Sequence, residues 1–385
     1  IVVVKTGAKI TSITYEGWQF AGVTTPVVSG TDAYGGISKA GNTTTGNKIT
    51  LTTGEYTNVY GGWTTGKGSK SAAEKRGNST KNIVTVKENA VVSGTIYGGY
   101  TDAADGKAMD NEVVIDNAQA GNIVGGKGRA ADGNVLRLRN AAVEGSIIGG
   151  SGATANGNTI HLENALVKGI VTGGAAGGTD NTLAVYYGTK TSEIGDFNGI
   201  QNLRFYMENA PTDGSAHTLL KLTNVSGGDK TLSHINLHLY RSGDAKKLRP
   251  GDSFTLMENM RGGIAFGDGV AVTAQDGIAY NYTLQAAPDQ KPPNLLKATV
   301  HQAGLAAEAK SPVETRAGLA NFVNQGADAL VESGMAAAEM AVSSDAGAAG
   351  GKSGAASKSN DAKKNVQRKT AAADNVSYQL WAGAG

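Results

Sequence analysis

Two stretches of 18 residues, 24 positions apart, share a skeleton of glycine, asparagine and small apolar residues. Residues 133–150 read GNVLRLRNAAVEGSIIGG, and residues 157–174 read GNTIHLENALVKGIVTGG. Nine of the eighteen positions are identical, whereas nearly every charged position differs. Self-similarity at a fixed short period is typical of proteins built by stacking one structural unit. The repeat therefore constrains the fold more than any other feature of the chain.

Paired glycines extend the repeat in the N-terminal direction. They occupy 35–36, 61–62, 98–99, 125–126, 149–150 and 173–174, at intervals of 26, 37, 27, 24 and 24 residues. The longest interval contains the polar segment WTTGKGSKSAAEKRGNSTKN (63–82). We interpret this segment as an insertion that loops out of one repeat.

Alternation of apolar and polar residues within each repeat predicts short strands. Apolar residues stand two apart at Val113 and Ile115, and again at Leu136 and Leu138, which is the period of a half-buried strand. A helix would need apolar residues three and four apart, and the Gly-Gly pair disfavours it. Strands this short cannot bury a core alone, so we expect successive repeats to stack on one another.

Stacking of this kind predicts an all-β fold, a right-handed parallel β-helix (solenoid). Asparagines should lie at two equivalent corners and bond along the stack, and the Gly-Gly pairs should supply corners with positive φ. An antiparallel sandwich or a propeller stays open as an alternative, although propeller blades need about 40 residues each. The two asparagine corners are Asn111, Asn134 and Asn158, and Asn89, Asn117, Asn140 and Asn164.

Composition limits the possible functions. The 385 residues include 56 glycines and no cysteine, and the formal net charge is +2. The absence of cysteine excludes disulfides and thiolate metal sites, and suits either a reduced cytosolic protein or a chain that is exported unfolded. The balanced charge gives no indication of nucleic-acid binding. The sequence contains no run of 18 apolar residues, so it predicts no transmembrane helix.

The chain changes character after residue 190. Strand patterns continue to about residue 300, and the proline-rich segment APDQKPPNLLK (287–297) marks a boundary. Ser311 and Pro312 then predict the start of an amphipathic helix over 312–341. Residues 343–375 are rich in Ala, Gly, Ser and Lys, which is typical of a flexible basic loop, and alternation over 376–385 predicts another strand.

Three segments resemble the type V autotransporters of Gram-negative bacteria. They are FNGIQNLRFYM (197–207), LRPGDSFTLMEN (248–259) and ETRAGLANFVNQGADALVESGM (314–335). The resemblance implies a passenger displayed at the cell surface and a helix that threads the pore of a C-terminal outer-membrane barrel. The expected organisation is β-helix passenger repeats at 1–190, closing coils that form an autochaperone-like cap at 191–300, a linker α-helix at 301–342, a flexible basic loop at 343–375 and the first strand of a truncated barrel at 376–385.

The same resemblance implies the partners and the location. The passenger would be extracellular and would meet a ligand on a host or neighbouring cell, and only the barrel would contact the membrane and the outer-membrane assembly machinery. No nucleic-acid partner is expected. Because folding of the last coils would template earlier ones during export, we expect residues 200–300 to be the most stable unit.

Four groups of residues were weighed as chemical sites. Ser253 in a Gly-Asp-Ser sequence could be a nucleophile, but no His-Asp partner motif accompanies it, which favours a turn entering a strand. His234 and His238 are four apart on a predicted strand, about 13 Å, too far to share a metal. Asp102, Asp105 and Asp110 could bind Ca²⁺ or form a solvated loop. The basic residues of the C-terminal loop could contact an anionic surface or be a solvated linker: Lys352, Lys358, Lys363, Lys364, Arg368 and Lys369.

The sequence therefore predicts no catalytic, cofactor-binding or metal-binding residues. It favours a non-catalytic adhesin or interaction rod, with the insertion at 63–82 as the preferred binding element. Two alternatives stay open. One is a β-helix enzyme (a lyase or hydrolase) acting on polysaccharide, which three or more carboxylates converging in a groove would favour. The other is a spacer that presents an N-terminal effector domain.

Overall fold

The computed structural model describes most of the chain before residue 306. The described residues are 8–15, 18–21, 27–29, 32–38, 43–65, 77–175, 178–208, 210–211, 215–223, 227–241, 249–276, 280–288, 294–305, 325, 327–328 and 330–336. Within 8–29, 274–288 and 301–305, and at residue 241, only the backbone is described. The chain divides into two compact units, Ile1–Ser311 and Pro312–Gly385.

The first unit is all-β in the part that the structure describes. Its strands before the regular repeats are β1 (Ala8–Tyr15), β2 (Trp18–Ala21), β3 (Val27–Ser29), β4 (Asp32–Tyr34), β5 (Ile37–Ser38), β6 (Thr44–Thr45), β7 (Lys48–Tyr56), β8 (Val59–Thr64) and β9 (Ser79–Thr80). The repeats supply β10 (Ile83–Thr101), β11 (Glu112–Asp116), β12 (Gln119–Lys127), β13 (Val135–Arg139), β14 (Ala142–Val143), β15 (Ile147–Ser151), β16 (Thr159–Glu163), β17 (Leu166–Gly174), β18 (Thr182–Tyr186) and β19 (Ser192–Asn198). The later strands are β20 (Asn202–Tyr206), β21 (Leu220–Leu222), β22 (Lys230–Leu232), β23 (Asn236–Arg241), β24 (Ser253–Asn259), β25 (Ile264–Phe266), β26 (Ala271–Asp276), β27 (Tyr280–Pro288) and β28 (Leu295–Leu305).

The second unit is helical where it is described, at residues 325, 327–328 and 330–336. These residues lie inside the helix predicted for 312–341, whose two ends fall outside the described residues. The predicted basic loop at 343–375 and the predicted strand at 376–385 also lie outside them. Within the described part of the chain, we find no helix with the length and apolar character needed to cross a membrane.

Most strands of the first unit pair in parallel with the corresponding strand of the next repeat. One ladder runs through β7, β10, β11, β13, β16, β18, β20, β23 and β26. A second ladder runs through β8, the later part of β10, β12, β15, β17, β19, β21 and β24. Both ladders cross residue 190 without interruption, so the parallel pairing continues well beyond the glycine repeats.

Apolar residues of the first ladder form two buried columns. Leu136 pairs with Val113 on one side and Ile160 on the other, and all three are fully buried. The second column passes from Leu138 through Leu162 and Val185 to Phe205 and continues to Leu239. The alternation in the sequence thus places every second side chain of these strands in one shared core.

Buried asparagines form a hydrogen-bonded column along the repeats. Nδ2 of Asn111 donates to Oδ1 of Asn134 at 3.0 Å, and Nδ2 of Asn134 donates to Oδ1 of Asn158 at 3.0 Å. Backbone amides donate to the same oxygens, so these polar groups are satisfied inside the core. The prediction of an asparagine column is confirmed at this corner, and the structure extends it in both directions to Asn47, Asn82 and Asn181.

The second predicted corner is confirmed in part. Nδ2 of Asn164 donates to Oδ1 of Asn140 at 2.9 Å, and Asn117 shares the positive φ of both residues. The prediction is wrong for Asn89, because Glu88 occupies the positive-φ position of that repeat, with φ of 61°. An additional residue in β10 shifts the register between Val86 and Asn89, which moves Asn89 away from the corner.

The predicted reason for the Gly-Gly pairs is also wrong. Gly125 and Gly149 lie within strands β12 and β15, and neither has positive φ. A Cβ added to Gly125 would lie 2.3 Å from the carbonyl oxygen of Gly149, a separation that real Cβ atoms do not reach. Glycine is needed because neighbouring backbones approach closely, whereas positive φ at the corners falls on asparagine and on other residues.

Antiparallel strands join the two ladders at their C-terminal end. β24 pairs with β28, β28 with β27, and β27 with β26, all antiparallel. At the opposite end β1 pairs antiparallel with β7 and with β2. Pairing of this kind covers strand edges that would otherwise recruit other chains.

Candidate functional site

The outward side of β16, β18, β20 and β23 carries a group of aromatic and basic residues that we call the tyrosine face. Along β16, β20 and β23 buried and outward residues alternate, whereas in β18 only Tyr186 is accessible. The parallel register aligns the corresponding residues of successive strands. Two columns result, one of tyrosines and one of histidine and arginine. The tyrosine face is defined by His161, Tyr186, Arg204, Tyr206, His238 and Tyr240.

Three tyrosine rings form a continuous stack on this face. The centroids of Tyr186 and Tyr206 are 4.4 Å apart with 5° between the ring planes, and those of Tyr206 and Tyr240 are 4.7 Å apart with 11°. All three side chains are partly exposed. Burial is the main cause that raises the pKa of Tyr186. Since neighbouring rings cover each other's faces, the exposed part lies at the ring edges.

His161 closes one end of the tyrosine stack. Its Nδ1 lies 3.0 Å from the hydroxyl of Tyr186, and the two ring centroids are 5.8 Å apart. Burial, together with the positive charges of Arg137 and Arg204, lowers the pKa of His161 to about 4. His161 is therefore neutral at pH 7 and can accept or donate one hydrogen bond at each ring nitrogen.

His238 lies on the other side of Arg204. Its Nδ1 is 2.7 Å from the hydroxyl oxygen of Thr273. Burial and the charge of Arg204 lower its pKa. Arg204 thus acts electrostatically on a histidine on each side of it, which places its charge in the middle of the face.

The arginines of this sheet differ in their partners. Arg137 donates from Nε to Glu112 at 2.9 Å, and Arg139 donates two hydrogen bonds to Asp116, at 3.1 and 2.8 Å. Arg204 has no ion pair within the part of the chain that the structure describes. Its Nε is buried and has no hydrogen-bond acceptor among the described residues. Arg204 is therefore the cation of this face whose charge is available to a ligand.

A shallow depression of about 350 Å³ lies beside His161. Two carboxylates, Asp116 and Glu163, line it, and Asp116 is already paired with Arg139. This is fewer than the three converging carboxylates that would favour a hydrolytic enzyme. The depression is also lined by Val114, Arg137, Arg139, His161 and Tyr186.

A second aromatic group lies near the predicted insertion. Tyr34, Tyr60 and Tyr97 stack with centroids 5.0 and 5.1 Å apart, and Trp63 and Tyr100 pack against them. Burial and the nearby charge of Asp32 raise the pKa of Tyr34 to about 12. Of the insertion at 63–82, residues 66–76 lie outside the described residues. Trp63, the first residue of the insertion, thus packs in an aromatic cluster.

Ser253 and the two histidines are placed as follows. Ser253 begins β24 directly after a turn at Gly251, whose φ is +96°, which confirms the turn predicted there. His238 lies in β23 as predicted. His234 was predicted on the same strand, and this is wrong: it precedes the strand in a turn with φ of 52°.

The aspartates of the predicted acidic loop are not grouped as ligands of one ion, and one of them forms an ion pair. Asp105 pairs with Arg129, and Asp110 occupies a positive-φ position before β11. In the ranges the structure describes, no three His, Asp or Glu side chains are grouped as metal ligands. The six basic residues of the C-terminal loop lie outside those ranges.

The tyrosine face was missed at the level of the sequence, although a signal was present. The segments TLAVY, NLRFY and NLHLY end in Tyr186, Tyr206 and Tyr240 after the same alternation of apolar residues. Their spacings of 20 and 34 residues differ from the 24-residue period, so an alignment on paired glycines stops before reaching them. Comparisons of the chain with models of protein families, with curated proteins and with solved structures find no match to any of them.

Proposed function

We propose that the chain is a right-handed parallel β-helix that acts as a non-catalytic binding rod at the cell surface, as the passenger segment of a type V autotransporter. The observation that carries the proposal is the in-register pairing of each repeat with the next. Leu138, for example, pairs with Ile115 before it and with Leu162 after it, at steps of 23 and 24 residues.

The proposed β-helix is supported by the way successive repeats share two ladders. Every repeat contributes one strand to the first ladder and one to the second, and returns to the first ladder one strand further on. A chain that returns in this way winds as a solenoid, and parallel crossovers are right-handed in nearly all known cases. The shared asparagine column supports the same winding, because it needs one residue per turn at one corner.

A binding role is supported by what the solenoid leaves outside. Its inward positions repeat, while outward positions vary from charged pairs to a tyrosine stack and an arginine without an ion-pair partner in the described part. Partly exposed aromatic residues and arginine are typical of interaction surfaces. The autotransporter origin is supported by the order of a solenoid, antiparallel closing strands and a helix in the second unit.

Cell-surface binding of the purified full chain tests the proposal. We expect labelled chain to bind host or neighbouring bacterial cells saturably, and the double variant Tyr186→Ser, Tyr206→Ser to bind less. Lys168→Gln is the matched control, because it removes an exposed residue of β17 that pairs with Glu144 and lies outside the tyrosine face. Absence of saturable binding to any cell surface would contradict the proposal.

A polysaccharide lyase is a second candidate, favoured by one observation. Neutral His161 bonded to Tyr186, close to arginines, has the groups needed for β-elimination on a uronate: a base that takes the proton beside the carboxylate, and a hydroxyl that gives a proton to the departing oxygen as the C–O bond breaks. Ultraviolet absorbance of the unsaturated product tests it. Product formed by the wild-type chain and lost in His161→Ala would replace the binding rod with an enzyme.

A further inference from the structure

We propose that Arg204 is the centre of a binding site for a carboxylated sugar unit, so that the tyrosine face binds acidic polysaccharide. This rests on the proposed binding function and names its ligand class. Two independent features of the face support it: a cation without an ion-pair partner among the described residues, and a row of polar aromatic edges beside it.

The cation is available because its neighbours are neutral. Arg204 pairs in register with Ala184 on β18 and with His238 on β23. Neither residue can form an ion pair with it, since alanine has no charge and histidine is either neutral or, like arginine, positively charged. The guanidinium group matches a carboxylate with two parallel hydrogen bonds, which are stronger than hydrogen bonds between neutral groups.

Ala184 lies between Arg204 and His161 in the same column, on the strand between theirs. It is covered, with 1% of its surface exposed, and the charge of Arg204 reaches His161 across it. A ligand carboxylate would therefore contact Arg204 from solvent, at the part of its side chain that is accessible.

The aromatic row suits a ligand with many hydroxyl groups. Ring centroids of Tyr186, Tyr206 and Tyr240 follow each other at 4.4 and 4.7 Å, and their faces are covered by stacking. What they offer is a line of phenol edges whose hydroxyls can donate and accept hydrogen bonds, with that of Tyr186 already bonded to Nδ1 of His161. A neutral His161 adds a further hydrogen-bonding group at the end of this line.

A sugar polymer fits these features better than other anions. Nucleic acid requires several phosphate contacts along its backbone, whereas Arg137 and Arg139 on the neighbouring strand β13 are already paired with carboxylates. One cation without an ion-pair partner among the described residues, beside a hydroxyl-rich row, matches a chain in which one carboxylate alternates with several hydroxyl groups.

Calorimetric titration of the full chain with a galacturonate hexamer tests the site. We expect the wild-type chain to bind the hexamer. Arg204→Gln should bind the hexamer at least about tenfold more weakly, and the wild-type chain should bind the methyl ester at least about tenfold more weakly, since each change removes one half of the charge pair. Arg204→Lys should be intermediate, because it keeps the charge and loses the fork. Lys168→Gln should bind within about twofold of wild type, because it removes the same charge at an exposed pair elsewhere.

Several results would overturn the proposal. They are equal affinity of Arg204→Gln and wild type, equal affinity of hexamer and ester, no binding of the hexamer, or tighter Arg204-dependent binding of a sulfated sugar, an oligonucleotide or an acidic peptide. Circular dichroism shows whether Arg204→Gln is folded, and Arg204→Lys and the ester decide the case if it is not. Cell-surface binding that persists in Arg204→Gln would refute this site and leave the proposed function standing, whereas loss of all surface binding by wild type would refute the function itself.

Discussion

The amide of Asn164 donates a 2.9 Å hydrogen bond to Oδ1 of Asn140, which stands 24 residues earlier at the same corner of the preceding repeat. Both residues have positive φ, 52° and 48°, a conformation that asparagine adopts more readily than most residues. One residue type thus answers two requirements at this corner, the backbone turn and the contact between repeats. At the other corner the same contact is made deeper in the protein, where its loss is harder to compensate.

Asn134→Ala should destabilise the chain strongly. Asn134 accepts hydrogen bonds from Asn111 and donates to Asn158 and to the carbonyl of Ala108. Each buried group left without a partner costs about 1–3 kcal/mol, so we expect a total loss of about 2–4 kcal/mol. Urea unfolding measures it.

The control for this prediction is Asn122→Ala. Asn122 is exposed and accepts one hydrogen bond, from the amide of Ser146. The substitution should therefore lower the free energy of unfolding by less than about 1 kcal/mol. Equal destabilisation by the two substitutions would show that the buried asparagine column stabilises the fold no more than an exposed hydrogen bond does.

Gly149→Ala should disturb the fold more than Gly157→Ala. A Cβ at Gly149 would lie 2.3 Å from the carbonyl oxygen of Gly173, whereas at Gly157 nothing lies within 4 Å and the obstacle is only its φ of +62°. Left-handed backbone costs alanine about 1–2 kcal/mol, while a backbone clash must break pairing between β15 and β17. We expect a loss above about 3 kcal/mol for Gly149→Ala, from the same unfolding measurement. A larger effect at Gly157 would contradict the close-approach explanation.

The period of the repeat was enough to predict parallel stacking partners such as Asn140 and Asn164, because a fixed spacing converts directly into neighbouring positions. It was not enough to explain the Gly-Gly pairs. A glycine that avoids a clash and a glycine that adopts positive φ look identical in a sequence, and only the distance from Gly125 to Gly149 separates them. The tyrosine face was missed for a related reason: loops of different length lie between Tyr186, Tyr206 and Tyr240, so the spacing hides their alignment.

Stability of the wild-type chain should fall more steeply on acidification than that of His161→Gln. Burial, with the charges of Arg137 and Arg204, lowers the folded-state pKa of His161 from 6.5 to about 4. Between pH 6.5 and about 4, His161 binds a proton in the unfolded chain but not in the folded chain. The contribution of neutral His161 to stability is therefore complete above pH 6.5 and is lost as the pH falls toward 4. Urea midpoints across this range measure the difference. Carboxylates titrate equally in both chains, so parallel curves would show that His161 is not held neutral.

Residues 200–300 should exchange their amide hydrogens more slowly than residues 30–180. The later strands bury larger side chains, such as Phe205, Phe254 and Met257, each at most 1% exposed, and burial of apolar area is the main stabilising contribution. Their ends are also joined by the antiparallel strands β27 and β28. Hydrogen exchange followed by mass spectrometry compares the two regions within one chain.

Two matched substitutions test whether residues 200–300 stabilise the repeats at 30–180 or the repeats stabilise residues 200–300. Leu256→Ala and Leu162→Ala remove the same atoms from fully buried sites, and each should cost about 2–5 kcal/mol locally. If the strands of residues 200–300 support the repeats, Leu256→Ala accelerates amide hydrogen exchange in both regions, whereas Leu162→Ala accelerates it in the repeats alone. Slower exchange in 30–180 than in 200–300, or an effect of Leu162→Ala that extends to β24, would mean that the closing strands depend on the repeats and cannot template them.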